Sequence, residues 1–152
     1  MFKVAILIGH TKNTFKNTGS KGITKNGKKY AEYDSNKHLA DKVINRLKAY
    51  NNIKVYVIQD ESLTARTNKI KQINPDIVIA IHHNYNSNSN VNGICSFTWY
   101  SNSPSSHKLQ DIFIDLAKKE GFETHGNGKH YSKFNSWTNL HITRETRFLK
   151  AA

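Results

Sequence analysis

Four short stretches of mainly apolar residues predict β-strands. Residues 4–8 and 77–81 are apolar throughout and rich in β-branched side chains, which is typical of buried strands. Residues 53–58 form a further predicted strand between them. Residues 94–100 alternate between two faces, one of which carries Trp99, and we expect that side chain in the core.

Helical spacing of apolar residues follows three of these strands. The expected caps and stops are Asp34 or Ser35 for the first helix, Ser62 and Pro75 for the second, and Ser105 or Ser106 and Gly121 for the third. The apolar residues expected to face the core are Leu39, Val43, Ile44 and Leu47, then Leu63, Ile70 and Ile73, then Leu109, Ile112, Phe113 and Leu116.

Strands that alternate with helices predict an α/β domain with three layers and a mostly parallel central sheet. A chain of 152 residues can bury about two-thirds of its unfolded surface, and we expect one domain over residues 1–152. Residues 11–33, 84–92 and 122–152 lack periodicity and are expected as loops, the last with weak strand character near 140–143. Long loops in compact domains are usually functional.

The composition argues against a disordered or membrane-spanning chain. Hydrophobic residues make up 37% of the chain, which is enough for a core, and only two prolines are present. No apolar stretch is long enough to span a bilayer, and the first residues lack the pattern of a signal peptide. The single cysteine, Cys95, cannot form an internal disulfide, which fits a reducing compartment.

The net charge of +12 draws the chain toward polyanions. Nucleic acid, anionic lipid and the teichoic acids of a bacterial wall all carry the negative charge that such a chain attracts. The basic residues are scattered and do not form an arginine-rich run or a basic helix. The charge therefore predicts an anionic partner without identifying it.

Three residues from distant parts of the sequence are expected to meet at one edge of the sheet. His10 follows the strand at 4–8 and His82 follows the strand at 77–81, and ligands of parallel sheets bind beyond the carboxyl ends of the strands. Glu32 lies two residues before the first predicted helix, which starts from the same edge. Two imidazoles and a carboxylate with an open fourth position form the ligand set of a catalytic zinc.

Each of these residues has a simpler explanation when it is taken alone. A histidine after a strand is commonly part of a turn, and a glutamate before a helix interacts favourably with the helix dipole. Their convergence is what favours a metal site. Strand alternation points His83 away from His82, and we expect it to be a packing or supporting residue. The other histidines are expected to be solvated or, in loops, to face substrate: His38, His107, His125, His130 and His141.

Three short motifs follow one another along the chain: Gly9-His10, Glu32 with Asn36, and Ile81-His82-His83-Asn84, supported by Arg66, Asn68 and Gly93. In this order they resemble the zinc-dependent N-acetylmuramoyl-L-alanine amidases of bacteria and phages, of the amidase-3 type. The resemblance covers nearly the whole chain. It implies a phosphorylase/hydrolase-like fold, a zinc ion on His10, Glu32 and His82, and hydrolysis of the amide between the lactyl group of N-acetylmuramic acid and L-alanine of the stem peptide.

The general base of that family is a glutamate at the end of a late apolar strand, and this sequence departs from the pattern there. Residues 147–150 resemble the segment before that strand in phage members, and the chain stops at Ala152. We therefore expect a C-terminally truncated relative without the last strand and the closing helix. Glu145 is the nearest candidate for the base, and otherwise it is a surface salt-bridge partner.

Three functions follow as hypotheses. The first is a phage endolysin-like amidase without a separate wall-binding domain, made in the cytoplasm without a signal peptide and acting on the cell wall after release. Its partners would be peptidoglycan and anionic wall polymers but no membrane, and residues 131–137 would contact sugar rings and peptide carboxylates. The second is a catalytically impaired relative that still binds zinc and wall. The third is a basic α/β nucleic-acid-binding protein whose histidines are incidental.

Overall fold

A computed structural model describes residues 1–12, 19–23, 26–27, 29–59, 62–88, 90–101 and 104–149. The chain divides into two compact units, Met1–Tyr85 (the first unit) and Asn86–Ala152 (the second unit). The prediction of one catalytic domain over residues 1–152 stays a prediction. No helix in the described part of the chain has both the length and the apolar character needed to cross a membrane.

The secondary structure alternates between strands and helices. In chain order the elements are β1 (Phe2–Ile8), β2 (Lys21–Ile23), β3 (Lys29–Ala31), α1 (Glu32–Lys48), β4 (Ile53–Ile58), α2 (Leu63–Ile73), β5 (Ile77–Ile81), β6 (Ile94–Trp99), α3 (Pro104–Lys119), β7 (Thr124–Ser132) and α4 (His141–Glu145). The predicted α/β class with parallel strands and helices is confirmed.

β1 is the central strand of the first unit. It lies between β4 and β5 in a parallel sheet of order β4-β1-β5. Its residues from Val4 to Ile8 are at most 3% exposed, as the unbroken apolar run predicts. The register pairs Ile8 with Ile81, so β1 and β5 end at the same level of the sheet. The residues that follow these two strands therefore leave the sheet at one edge.

A short antiparallel hairpin, β2–β3, precedes α1 where the sequence predicts a loop over residues 11–33. The register pairs Lys21 with Ala31, so the loop prediction is wrong for these strands. The part of that prediction on residues 13–18, 24–25 and 28 lies outside the described residues. The hairpin leads directly into α1, since the backbone N–H of Glu32 donates to the Ser20 carbonyl at 2.7 Å.

Helix α1 begins earlier than its sequence suggests. Its first residue is Glu32 and its N-cap is Ala31, so the predicted caps Asp34 and Ser35 lie inside the helix. The hydrogen bond from Glu32 to the hairpin satisfies a backbone N–H that would otherwise need a capping side chain. Glu32 therefore stands in the first turn of the helix and not two residues before it.

The core face of α1 differs by one position from the predicted face. Tyr33, Ala40 and Ile44 are buried against the sheet, and Val43 and Leu47 pack at the edge of this cluster. Leu39 is 44% exposed, so its predicted place in the core is wrong. The buried polar residue Asn36 lies on the same face as Tyr33, Ala40 and Ile44, and a hydropathy pattern does not count it as a core position.

Helix α2 starts and ends as predicted. The side chain of Ser62 accepts a hydrogen bond from the Ala65 N–H at 3.0 Å, and Asn74 closes the helix in a left-handed conformation just before Pro75. Ile70 is fully buried. Leu63 is 51% exposed, so the predicted apolar face is correct only toward the end of the helix.

In the second unit, α3 packs against both strands of the parallel pair β6–β7. Its buried face is Ser106, Gln110, Ile114 and Ala117. The amide of Gln110 donates to the carbonyls of Ser96 on β6 at 2.8 Å and His130 on β7 at 3.3 Å. A polar side chain thus joins the two strands from inside the packed layer.

The predicted apolar stripe of α3 is therefore wrong. Ile112, Phe113 and Leu116 are each about half exposed, and Leu109 is only partly buried. A hydropathy pattern does not identify Gln110 as a core residue, but its amide is buried because β6 and β7 supply backbone acceptors for it.

Only the C-terminal end of α3 agrees with the prediction. The helix begins at Pro104, whose fixed backbone suits a first helical position, so Ser105 and Ser106 are inside the helix and not caps. Gly121 ends the helix as predicted, with a positive φ of 81°. The N–H of Phe122 then donates to the Ala117 carbonyl at 3.0 Å.

The C-terminal region is more regular than its polar composition suggests. The nine-residue strand β7 lies in the segment predicted as a loop, so that prediction is wrong there. The strand character predicted near residues 140–143 is also wrong, because Leu140 is the N-cap of the short helix α4 and residues 141–143 lie inside it. Trp99 is 1% exposed, which confirms its predicted place in the core.

Two apolar residues of α1 test this packing directly. Ile44 is 6% exposed, so Ile44→Ala is expected to lower the free energy of unfolding by about 2–5 kcal/mol through the cavity that it leaves. Leu39→Ala, on the exposed side, is expected to cost less than about 1 kcal/mol. Urea unfolding followed by circular dichroism measures both, and equal losses would place Leu39 in the core after all.

Candidate metal centre

The structure brings His10, Glu32 and His82 together at the carboxyl edge of the first unit's sheet. The Nε2 atom of His10 and the Nδ1 atom of His82 each lie 3.1 Å from Oε1 of Glu32. The three ligand atoms all lie within 4.8 Å of one another. The two histidines are partly exposed while Glu32 is buried, so the cluster has a buried base and an open side.

Glu32 is held by hydrogen bonds from two distant segments of the chain, at Ser20 and at His82–His83. The Ser20 N–H and hydroxyl donate to its Oε2 at 3.1 Å, and the His83 N–H donates to its Oε1 at 3.0 Å. Burial alone would raise the pKa of Glu32, but these hydrogen bonds, the bond with His82 and the charge of His10 lower it to about 2. The carboxylate is therefore ionised at neutral pH, as a metal ligand must be.

His10 is fixed by its backbone as well as by its ring. Its φ of 63° lies in the left-handed region, which costs a non-glycine residue free energy and is typical of functional positions. Arg66, buried in α2, donates from its two terminal nitrogens to the carbonyls of Ile8 at 3.0 Å and His10 at 2.8 Å. Arg66 thus clamps the backbone on both sides of Gly9 and sets the direction of His10.

Asn36 connects the cluster to its surroundings. It is fully buried, one turn after Glu32 on α1, and its amide donates to the Gly9 carbonyl at 3.1 Å. Its Oδ1 lies 2.6 Å from Nδ1 of His83. Because the Asn36 oxygen can only accept, this contact places a proton on Nδ1 of His83. His83 therefore supports the cluster without joining it, in agreement with its predicted role.

Two glycines fit closely around the cluster. A Cβ atom at Gly9 would come within 2.6 Å of the His82 ring and 2.7 Å of the Asn36 amide. A Cβ atom at Gly19, where φ is +78°, would come within 2.5 Å of Glu32 Oε2 and 2.6 Å of the His10 ring. Only glycine leaves room at both positions, so the backbone is shaped to this group of side chains.

The donor set fits zinc. Two imidazole nitrogens and one carboxylate oxygen, drawn together on one side of an open edge, are the three protein ligands that a catalytic zinc site uses. The two distances from Glu32 Oε1 to the imidazole nitrogens, 3.1 Å each, are close to the edge of about 3.3 Å in a tetrahedron with metal–ligand bonds of 2.0–2.1 Å.

The other predicted site residues lie elsewhere. Glu145 belongs to α4 in the second unit, where its carboxylate accepts a hydrogen bond from Nε of the adjacent Arg144 at 3.0 Å. His38 is exposed on α1, as predicted. His125 and His130 lie on β7 and not in loops. His107 bonds to the Trp99 carbonyl, and His141 lies near the guanidinium of Arg144.

The aromatic and basic residues at 131–137 line a groove of about 720 Å³ in the second unit. Tyr131, Lys133 and Trp137 contribute to it, together with Tyr100 and His107. Trp137 is 72% exposed, which is unusual for a tryptophan without a partner surface. The groove combines ring faces with positive charge.

Sequence reasoning did not give Asn36 and Arg66 a positioning role, although both occur in the motifs. The detectable signal for Asn36 is a polar residue on the buried face of α1, four positions after a buried carboxylate. For Arg66 no local signal exists, because its two acceptors are backbone carbonyls 56 and 58 residues away.

An α/β fold with two histidines and a carboxylate at the carboxyl edge of its sheet has the arrangement that metal-dependent hydrolases use. The family profile Amidase_3, described as N-acetylmuramoyl-L-alanine amidase, matches residues 4–149. The chain therefore belongs to this family of peptidoglycan amidases. A comparison with curated protein sequences gives no match.

Solved amidase structures share the fold. The catalytic domain of CwlV, an N-acetylmuramoyl-L-alanine amidase from Bacillus (Paenibacillus) polymyxa var. colistinus, matches with a TM-score of 0.78 at 23% identity, over 99% of this chain and 77% of that chain. The N-acetylmuramoyl-L-alanine amidase from Clostridium difficile 630 matches with a TM-score of 0.78 at 22% identity, over 99% and 76%. AmiC2 of Nostoc punctiforme matches with a TM-score of 0.69 at 18% identity, over 88% and 70%.

The Arg66 clamp gives a prediction for the metal centre. Arg66→Met removes the donors to the carbonyls of Ile8 and His10, and we expect a loss of about 1–3 kcal/mol in unfolding free energy, mainly from the buried Ile8 carbonyl. Zinc affinity is expected to fall as well, because His10 loses its fixed backbone. The control is Arg46→Met, which removes the same charge from an exposed position of α1. Thermal unfolding and zinc titration read both effects, and equal behaviour of the two variants would contradict the clamp.

Proposed function

We propose that the chain hydrolyses the amide between N-acetylmuramic acid and L-alanine of the peptidoglycan stem, with zinc held by His10, Glu32 and His82. The observation that carries this proposal is the convergence of these three side chains in a chain of the amidase family. Zinc bound there would act as a Lewis acid for the scissile carbonyl and lower the pKa of the attacking water.

The residues of the chain then have separate tasks. Glu32 keeps its negative charge at neutral pH, which favours a cation at the edge of the sheet. Arg66 and Asn36 hold the backbone at Gly9 and so preserve the spacing of the two imidazoles. The Asn36 oxygen also accepts a hydrogen bond from Nδ1 of His83, so the other ring nitrogen, Nε2, points away from Asn36.

The substrate contacts proposed for the second unit rest on its groove. Tyr131 and Trp137 offer ring faces for sugars, and Lys133 offers a positive charge for the carboxylates of a stem peptide. The net charge of +12 adds attraction to anionic wall polymers. The same charge supports the alternative of nucleic-acid binding, which requires neither zinc nor hydrolysis.

The zinc assignment predicts a specific pattern among three histidines. His10→Ala with His82→Ala is expected to abolish zinc binding at this centre and the release of new alanine N-termini from purified peptidoglycan. His83→Ala is expected to retain most of the zinc, because its ring contacts Asn36 and not the ligand atoms. Zinc titration and amine labelling measure the two properties.

A double variant that hydrolyses peptidoglycan like the parent would contradict the assignment. A parent chain that binds DNA tightly, with no zinc at this centre and no hydrolysis, would favour the nucleic-acid alternative.

Glu145 stays the candidate general base that the sequence offers, and a salt bridge with Arg144 is its alternative role. Its carboxylate is partly exposed and accepts a hydrogen bond from Nε of Arg144 at 3.0 Å. Glu145→Gln should lower hydrolysis by roughly 10²–10⁴-fold if the base is Glu145. The same peptidoglycan assay measures this. The control is Glu120→Gln, an exposed carboxylate after α3, and an equal effect of both changes would remove Glu145 from the mechanism.

A further inference from the structure

A second group of metal-ligating side chains lies in the second unit, away from the residues used above. Cys95 on β6 and His125 and His130 on β7 place one ligand atom each within 4.8 Å of the others. The Nδ1 atom of His125 lies 3.2 Å from Nε2 of His130. All three residues are half-buried. The group shares no residue with the Glu32 centre.

An irregularity in β7 creates this group. Residues five apart on a regular strand point to opposite faces and are separated by about 16 Å. The pairing, however, moves from Ile94 with Thr124 to Ser96 with Lys129, so the strand opposite Cys95 contains extra residues. This bulge folds the chain back and directs His125 and His130 to the same point beside Cys95.

Hydrogen bonds between nearby residues and two glycines stabilise the bulge. Gly126 and Gly128 have positive φ angles of 60° and 84°, which glycine adopts without strain. The Thr124 hydroxyl donates to the Gly126 carbonyl at 3.0 Å, and the Lys129 N–H donates to Oδ1 of Asn127 at 2.9 Å. The bulge is therefore stabilised by specific residues of the strand.

The ring of His130 is also held in place. It stacks on Phe97, with ring centres 5.1 Å apart at 28°, and meets the edge of Trp137 at 5.8 Å. Burial and the charge of His125 lower the pKa of His130. Burial raises the pKa of the Cys95 thiol.

We propose that Cys95, His125 and His130 form a second metal site, which takes a thiophilic transition-metal ion of the zinc class. One sulfur and two imidazole nitrogens suit such an ion and not calcium or magnesium, which prefer oxygen ligands. The 3.2 Å between the two nitrogens is close to the edge of about 3.3 Å expected for zinc bonds of 2.0–2.1 Å in a tetrahedron. Three protein ligands leave one position for water or an external ligand.

Cobalt titration tests this site separately from the Glu32 centre. The full chain with His10→Ala and His82→Ala is titrated with Co²⁺, because a sulfur-to-cobalt charge-transfer absorption in the near ultraviolet arises only where a thiolate binds. We expect about one equivalent to bind with this absorption. Cys95→Ser should abolish the absorption, and His125→Ala or His130→Ala should weaken binding by at least about 10–100-fold. His38→Ala is the matched control, since that histidine is exposed on α1.

The absence of the absorption in this titration would overturn the proposal. So would histidine variants that bind cobalt like their parent, or an absorption that appears only when size measurements show metal-linked dimers. These results concern cobalt and sulfur alone, so they do not depend on whether the chain hydrolyses peptidoglycan.

A second measurement avoids substitutions altogether. Cys95 is the only cysteine, so alkylation of the unaltered chain reports on that thiol alone. Zinc is expected to slow alkylation by at least about 10-fold, and a chelator should restore the original rate. An alkylation rate that zinc leaves unchanged would contradict the proposed site, even if zinc binds at the Glu32 centre.

Discussion

The buried carboxylate of Glu32 is the constraint on which the functional edge of the first unit depends. Removing a carboxylate from water costs several kcal/mol unless polar or charged partners replace the water. Glu32 takes these partners from the residue before β2, the end of β1 and the end of β5. Satisfying one buried charge therefore brings two histidines within 3.1 Å of the same oxygen, and the ligand set forms as part of folding.

The sequence predicts this edge of the sheet because the strands that form it have local, recognisable runs of apolar residues. The apolar runs of β1 and β5 identify parallel strands, and His10 and His82 follow them directly. The spacing of residues along the sequence does not identify Arg66 as a clamp, because its acceptors are backbone carbonyls in a distant segment. It also failed on α3, where Gln110 is buried because two strands supply acceptors for its amide. β7 was missed because its bulge interrupts the two-residue alternation.

The two proposed metal sites differ in their ligand chemistry and in the structure that surrounds them. The Glu32 centre combines nitrogen and oxygen donors around a charge that must be neutralised. The Cys95 group combines nitrogen and sulfur, which narrows its preference to softer ions. The first is surrounded by a buried arginine and a buried asparagine, whereas the second rests on a glycine-containing bulge and two aromatic rings.

This difference in the surrounding structure affects the free-energy cost of ordering the side chains for a metal ion. At the Glu32 centre the left-handed backbone of His10 is already maintained by Arg66, and the glycines leave space only for the observed arrangement. The fold supplies the free energy for ordering these side chains, so the metal binding proposed for this centre would require little further ordering. Small metal domains that fold only with their ion lack this support. In the first unit, the sheet and the arginine clamp hold the ligands, and so the chemistry of the edge depends on packing distant from it.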